Sequence, residues 1–237
     1  MLELSNMERR VPFAVNEHYH VYNRGAHRSL VFLDTADFER FMLLLYLAND
    51  SSSLNFSTLA VKYKGRSFAD MFSAESRQKD LVDVLAFSLM PNHFHLVLRE
   101  KKEFGIVTYM RKLATAYSMY FNLKHDHTGV LFQGRFKSQH IDNEPYFRWI
   151  FSYVHLNPLG IAFPDWEASG VSDSRPARDF MAAYQFSSYV DYAKKYRPEK
   201  IILTDKDVPT FLEQQNDLEE LLATYQKDRP FTLGISS

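Results

Sequence analysis

The strongest constraint on this chain lies between Val82 and Leu98. An apolar run, Val82-Asp-Val-Leu-Ala-Phe-Ser-Leu89, is followed by Met90-Pro-Asn and then by His93-Phe-His-Leu-Val-Leu98. Two runs of strand length on either side of a turn signal predict a β-hairpin, with its turn at one rim of a sheet. Residues i and i+2 of a strand share a face, so His93 and His95 present two imidazoles side by side, while Phe94 and Leu96 point the other way into a core. Two neutral imidazoles placed like this can hold two positions in the coordination sphere of a divalent cation. The plainer alternative is a strand that carries two exposed histidines.

Composition narrows what such a site can be. The chain has no cysteine, which excludes disulfides and thiolate zinc sites, so any metal must use His, Asn/Gln or carboxylate ligands. At 237 residues and 46% hydrophobic content there is enough chain for one domain with elaborations around a sizeable core. The 14 Tyr and 20 Phe suit base stacking and suit a ring-rich core equally well. No apolar run reaches membrane-spanning length and no signal-peptide pattern opens the sequence, so a cytoplasmic protein is expected.

A net charge of −1 argues against a nucleic-acid binder until its distribution is considered. Residues 201–237 carry seven acids against three bases, which leaves residues 1–200 at +3. Between Arg99 and Arg148 nine bases face five acids, a modest local excess compatible with a backbone-binding patch.

Along the chain, Met1–Pro12 reads as a loose arm and Glu17–Asn23 alternates as a strand before a turn at Arg24-Gly25. Asp34-Thr-Ala-Asp37 can cap a helix whose apolar spacing runs through Phe38, Phe41, Met42 and Leu45. Ser51–Lys79, polar and Ser-rich, reads as an insertion with a short helix near Phe68–Phe72. After the hairpin, Phe104–Lys124 is the clearest helix; Val130–Phe132 and Phe136–Ile141 are short extended pieces. Glu144–Leu156 is a second strong helix, stopped at Pro158. The order predicts an α+β fold, a ferredoxin/RRM-like antiparallel sheet with helices packed on one face. Residues 1–14 are then an N-terminal arm and 15–160 the main domain, with an insertion at about 51–80. Residues 161–237 are an extension of Pro- and Ser-rich linkers ending in an acidic helical tail near Thr210–Gln226.

The second helix reads Phe151-Ser-Tyr-Val-His-Leu-Asn-Pro-Leu159, with Tyr153 and Asn157 four apart on one helix face. A tyrosine beside a metal-bound phosphate can form a covalent phosphodiester. An Asn carbonyl one turn on can complete the metal shell beside His93 and His95, where the metal would polarise the scissile phosphate. Alternatively, Tyr153 is one of 14 tyrosines and packs its helix on the sheet.

These segments resemble the single-tyrosine transposases of the HUH nuclease superfamily, in particular their REP-associated branch. The resemblance is carried by His93-Phe-His95, Tyr153-Val-His-Leu-Asn-Pro158, Gly129-Val-Leu-Phe-Gln-Gly-Arg-Phe-Lys-Ser138, His20-Val-Tyr-Asn-Arg-Gly25 with Phe32-Leu-Asp34, and Tyr120-Phe-Asn122. It spans roughly residues 15–190, including Phe186-Ser-Ser-Tyr189, and leaves the tail beyond about 200 uncovered. It implies a single-stranded DNA nuclease-ligase acting in DNA transposition on hairpin-forming strands. His93 and His95 would bind Mg²⁺ or Mn²⁺, and Tyr153 would form a 5′-phosphotyrosine link and release a 3′-OH. Asn157 stands where the family carries Asn or Gln, as third ligand, and His155 is a candidate for lining the site. Relatives include monomers and dimers, so this chain is expected to be a monomer or a homodimer.

Candidates for holding the DNA backbone are Arg24, Arg111, Lys112, Arg135 and Lys137. His20 and Tyr22 alternate with Tyr19 and Val21, and one of these faces can stack bases. Two other readings stand beside the transposase. In one, a hydrolase uses His93 and His95 to activate water with no covalent role for Tyr153. In the other, a nucleic-acid-binding relative keeps the fold without turnover.

Overall fold

The computed structural model describes residues 13–52, 79–171, 173–193, 196–204 and 217–228. The arm over Met1–Pro12, the short helix near Phe68–Phe72 and nearly all of the expected insertion lie outside the described residues. Among the described residues no helix is long and apolar enough to cross a membrane.

Four strands, β1 (His18–Arg24), β2 (Val82–Met90), β3 (His93–Glu100) and β4 (Lys137–Ile141), form one antiparallel sheet in the order β2-β3-β1-β4. Helix α1 (Thr35–Leu47) joins β1 to β2, and α2 (Gly105–His125) joins β3 to β4. This is the expected α+β, ferredoxin-like arrangement. The predicted hairpin turns at Pro91-Asn92.

Helices α1, α2 and the helix after β4 start where the sequence provides a hydrogen-bond acceptor. The Asp34 side chain accepts from the Asp37 N–H at the head of α1, at 3.1 Å. Glu100, at the end of β3, is fully buried and accepts from the backbone N–H groups of Gly105 and Ile106 at 2.9 and 2.6 Å. A buried carboxylate is tolerated there because the orphan donors and positive end of a helix meet it. Helix α3 (Glu144–Leu156) has Asn143 as its cap, accepting from the Tyr146 N–H, and Pro145 in its first turn.

The two crossover helices cover one face of the sheet, as expected. Tyr19, Val21, Phe94, Leu96 and Leu98 meet Phe41, Leu45, Tyr109, Leu113 and Tyr117 there in an almost wholly apolar core. Strand β2 reaches that core along its whole length because of a bulge. The register shifts between Val84 and Ala86, so Val82 and Val84 before it and Phe87 and Leu89 after it all face the same way.

The other face is covered too, which the expectation of helices on one face did not include. Helix α3 lies across it, with Phe147, Ile150, Phe151 and Val154 packed among Leu85, Ala86 and Val97. The extension adds to this second core: Ala177 and Met181 from α4 (Ser174–Ala183), in the part read as linkers, then Leu218, Leu221 and Tyr225 from α5 (Leu218–Lys227), in the part read as an acidic helical tail. The physical reason is that β3 and β1 are central strands, and Val97 and His20 on the second face need cover as much as Leu96 does. Pro158 ends α3 without diverting the chain, since it stays αR and a further helical turn follows at Leu159–Ala162.

Candidate active site

Strand parity sorts the side chains. On β3, His93, His95, Val97 and Arg99 point to the α3 side; on β1, His18, His20, Tyr22 and Arg24 do so. In register, Arg24 lies opposite His93, Tyr22 opposite His95, and Lys137 of β4 opposite Tyr22. The result is a row of rings: Tyr22 stacks on His20 at 5.0 Å and on His95 at 5.7 Å, centroid to centroid.

Helix α3 brings the expected tyrosine and asparagine onto this row. The Tyr153 ring stands edge-on to His95 at 5.4 Å, and the Asn157 Oδ1 lies 3.1 Å from His93 Nε2. His93 and His95 are themselves edge-to-face, 5.0 Å apart. Tyr153 is held flat against Trp149 at 5.4 Å, with Tyr225 of α5 at 6.2 Å beyond it. Only 4% of Tyr153 and 3% of His95 is exposed, so both side chains lie buried under α3.

Burial sets the protonation states. It holds the His93 pKa down at about 4, against a hydrogen bond to Asn157 that pulls upward and with Arg24 pushing the same way as burial. It holds His95 well below the ordinary value, with His93 and His20 adding to the effect, and it brings His20 to about 3. All three are therefore neutral imidazoles at neutral pH. The Tyr153 hydroxyl is pushed upward by burial and then by Glu167, Tyr225 and Tyr22, while hydrogen bonding to Asn157 opposes the rise.

A neutral ring has one N–H, yet both nitrogens of His93 face amide oxygens: Nδ1 lies 2.6 Å from Asn92 Oδ1 and Nε2 lies 3.1 Å from Asn157 Oδ1. With the proton on Nδ1, the Nε2 lone pair and the Asn157 oxygen converge with no hydrogen between them. Convergent N and O lone pairs are a donor set for a divalent cation, so His93 and Asn157 fit one, with the His95 ring beside them at 5.0 Å.

The other expected site residues are spread more widely. Arg24 is half-buried beside His93, and its Nε has no hydrogen-bond partner among the described residues. Arg135 and Lys137 are exposed, and the loop before them is tied to β1 by the Gln133 N–H donating to the Arg24 carbonyl at 2.7 Å. Arg111 and Lys112 sit on α2, across the sheet from the histidines. Lys112 is already engaged, its ammonium donating to the Asp50 and Ser52 carbonyls. His155 does not reach the cleft side of α3: it is fully buried against Phe151 and Tyr192, with Nε2 2.7 Å from Ser188 Oγ. Two residues from Tyr153 is about 200° around a helix, which explains the parting.

Sequence reasoning gave His20 only a stacking role, and the structure places it inside the site, 2.8 Å from His95. Its period-two spacing from Tyr22 was the available signal. Nothing in the acidic tail pointed to Tyr225 as the ring beyond Tyr153. Among the described residues one group of three acidic and histidine ligand atoms gathers elsewhere, at Asp34, Asp37 and His125. There the Lys124 ammonium lies 2.6 Å from Asp34 and 2.8 Å from Asp37, so the acids are met by a cation of the chain itself.

The site is thus an antiparallel α+β sheet with paired histidines on a central strand and a tyrosine on the covering helix. The family described as "Transposase IS200 like" matches by its family model over residues 60–157, less than half of the chain but the part that carries His93, His95, Tyr153 and Asn157. That stretch is similar to the IS200-like transposases. A solved structure of a REP-associated tyrosine transposase bound to a REP hairpin is 13% identical. The alignment covers 81% of this chain and 89% of that one, with a TM-score of 0.49, a likeness too distant to carry residue roles across. No curated protein matches the chain.

Proposed function

We propose that the protein is a metal-dependent single-stranded DNA transesterase acting on hairpin-forming DNA, with Tyr153 as nucleophile and His93, His95 and Asn157 as the metal-holding set. The observation that carries this reading is the meeting of α3 with β3: Tyr153 edge-on to His95 at 5.4 Å and Asn157 Oδ1 at 3.1 Å from His93 Nε2. A bound Mg²⁺ or Mn²⁺ would supply Lewis-acid stabilisation of the charge that builds on the phosphate and the leaving oxygen.

The chain's own residues account for the rest. Tyr153 Oη forms the new bond to phosphorus, the P–O3′ bond breaks, and the 3′ oxygen takes up a proton in balance with the one the tyrosine gives up. The energy of the broken ester stays in the 5′-phosphotyrosine link, so rejoining needs no nucleotide cofactor. Stacking on Trp149 fixes the phenol ring, and exclusion of water from the cleft protects the covalent link from hydrolysis. Arg24, Arg135 and Lys137, on the same side as the histidine row or on the loop tied to it, are the cations placed to hold a backbone.

The test is a denaturing gel after incubation with labelled single-stranded hairpin DNA and Mn²⁺. A covalent adduct is expected from the unmodified chain and from neither Tyr153→Phe nor His93→Ala. Cleavage that survives Tyr153→Phe would replace the transesterase by a hydrolase; binding with neither adduct nor cleavage would leave a non-catalytic relative.

A further inference from the structure

Resting on the metal-holding reading above, we propose that His20 and Asn92 are positioning residues that orient the two imidazoles, each accepting the Nδ1 proton of one ring so that both Nε2 lone pairs are left for the cation. The geometry is parallel at the two rings. His95 Nδ1 lies 2.8 Å from His20 Nε2, and His93 Nδ1 lies 2.6 Å from Asn92 Oδ1. In each case the nitrogen that faces the partner is the one that would not bind metal. A ring nitrogen pair 2.8 Å apart shares one proton, so the tautomer of His95 and that of His20 are set together.

His20 is suited to this and to little else. It is fully buried, it stacks on His95 at 5.1 Å with the ring planes 14° apart, and it makes no other hydrogen bond among the described residues, its Nδ1 being unpartnered. An imidazole buried with one nitrogen orphaned is a net cost to folding, whereas a Phe of similar shape would fill the same place without it. That cost is intelligible if the ring's one hydrogen bond has a job. Asn92 sits in the hairpin turn, and the turn is pinned by the Gly25 N–H donating to the Asn92 carbonyl at 2.8 Å. Position 25 has no room for a side chain, since a Cβ there would lie 2.1 Å from the Ser29 carbonyl oxygen. Hydrogen-bond partners of metal-bound imidazoles typically contribute 10–100-fold to metal affinity.

The experiment is a Mn²⁺ titration of the full chain, followed by calorimetry and by loss of the free-ion paramagnetic signal, with thermal unfolding recorded in parallel. His20→Phe keeps the ring shape and removes the acceptor, His20→Gln restores an acceptor oxygen, and Asn92→Ala changes a half-exposed turn residue with little risk to the fold. The expected result is a Mn²⁺ Kd raised about 10–100-fold in His20→Phe and in Asn92→Ala, part of the loss recovered in His20→Gln, and near-native unfolding temperatures. Wild-type affinity in folded His20→Phe or in Asn92→Ala overturns the positioning role of that residue while leaving the metal site standing. If His20→Phe does not fold, Asn92→Ala decides the role of Asn92, and His20→Leu, smaller and likewise without an acceptor, decides that of His20. A wild-type chain that takes up no Mn²⁺ overturns the metal site itself, and the positioning role with it.

Discussion

The two faces of the sheet are built from the same strands and do opposite things. On β3, Phe94 packs edge-on against Phe132 at 5.8 Å and lies 5.0 Å from Phe41, in a core where nearly every atom is carbon. One residue either side of it, His93 and His95 face α3, held by Asn157, Asn92 and His20. The first face gains stability from apolar burial and close packing. The second buries polar groups that stabilise little and cost much if any one loses its partner. The alternation of a single strand thus separates the apolar core from the candidate site.

The sharpest test of that division is Tyr153→Phe, which removes one oxygen from the second face. It should take the DNA adduct below detection on a denaturing gel while changing unfolding stability by about 1 kcal/mol or less. Next, Phe94→Ala and His93→Ala compare neighbours on opposite faces. Urea unfolding should show a loss of about 3–5 kcal/mol for Phe94→Ala, and for the half-buried His93→Ala a loss under about 1.5 kcal/mol. Equal losses would mean that the second face is as structural as the first.

Acid should act through the second face as well. Burial brings the His155 pKa to about 3 in the folded chain, against about 6.5 when unfolded. Below about pH 6.5 the unfolded chain binds a proton that the folded one refuses, so stability is full above that pH and falls as pH drops toward 3. One such histidine contributes a slope of at most about 1.4 kcal/mol per pH unit, and His155→Phe should flatten the curve of unfolding free energy between pH 6 and 4 (roughly this window) by up to that amount. An unchanged slope would assign the acid sensitivity elsewhere. The smallest effect separates the cations. Arg24→Ala should reduce the salt dependence of hairpin binding by about one unit of slope. Lys112→Ala should leave DNA binding alone and cost about 1 kcal/mol of stability through the lost bonds to Asp50 and Ser52.

Much of the frame was legible before any coordinates. The hairpin, Asp34 as a cap, and Glu144–Leu156 as a helix followed from local chemistry, because turns, caps and periodicity act over a few residues. The second-face cover was not legible. Ala177, Met181, Leu221 and Tyr225 come from short amphipathic helices, and spacing within such a helix does not say which distant apolar surface it covers; here that surface is presented by α3 and Val97. The surroundings of Lys112 and His155 were not legible for a related reason. Sequence shows that a residue can carry charge or bind a proton, and only packing shows that a carbonyl or a serine hydroxyl already occupies it.

By itself, the sequence determined the period-two spacing of His93 and His95, the four-residue spacing of Tyr153 and Asn157, and the family match that spans all four. Tertiary structure alone decided that α3 crosses the histidine face rather than the apolar one, and that His20, 75 residues from His95, comes within 2.8 Å of it. Spacing within a strand or a helix is fixed by backbone geometry, so it can be read along the chain. Which face meets which depends on how the apolar areas of distant segments can be buried together, and that is a property of the whole fold.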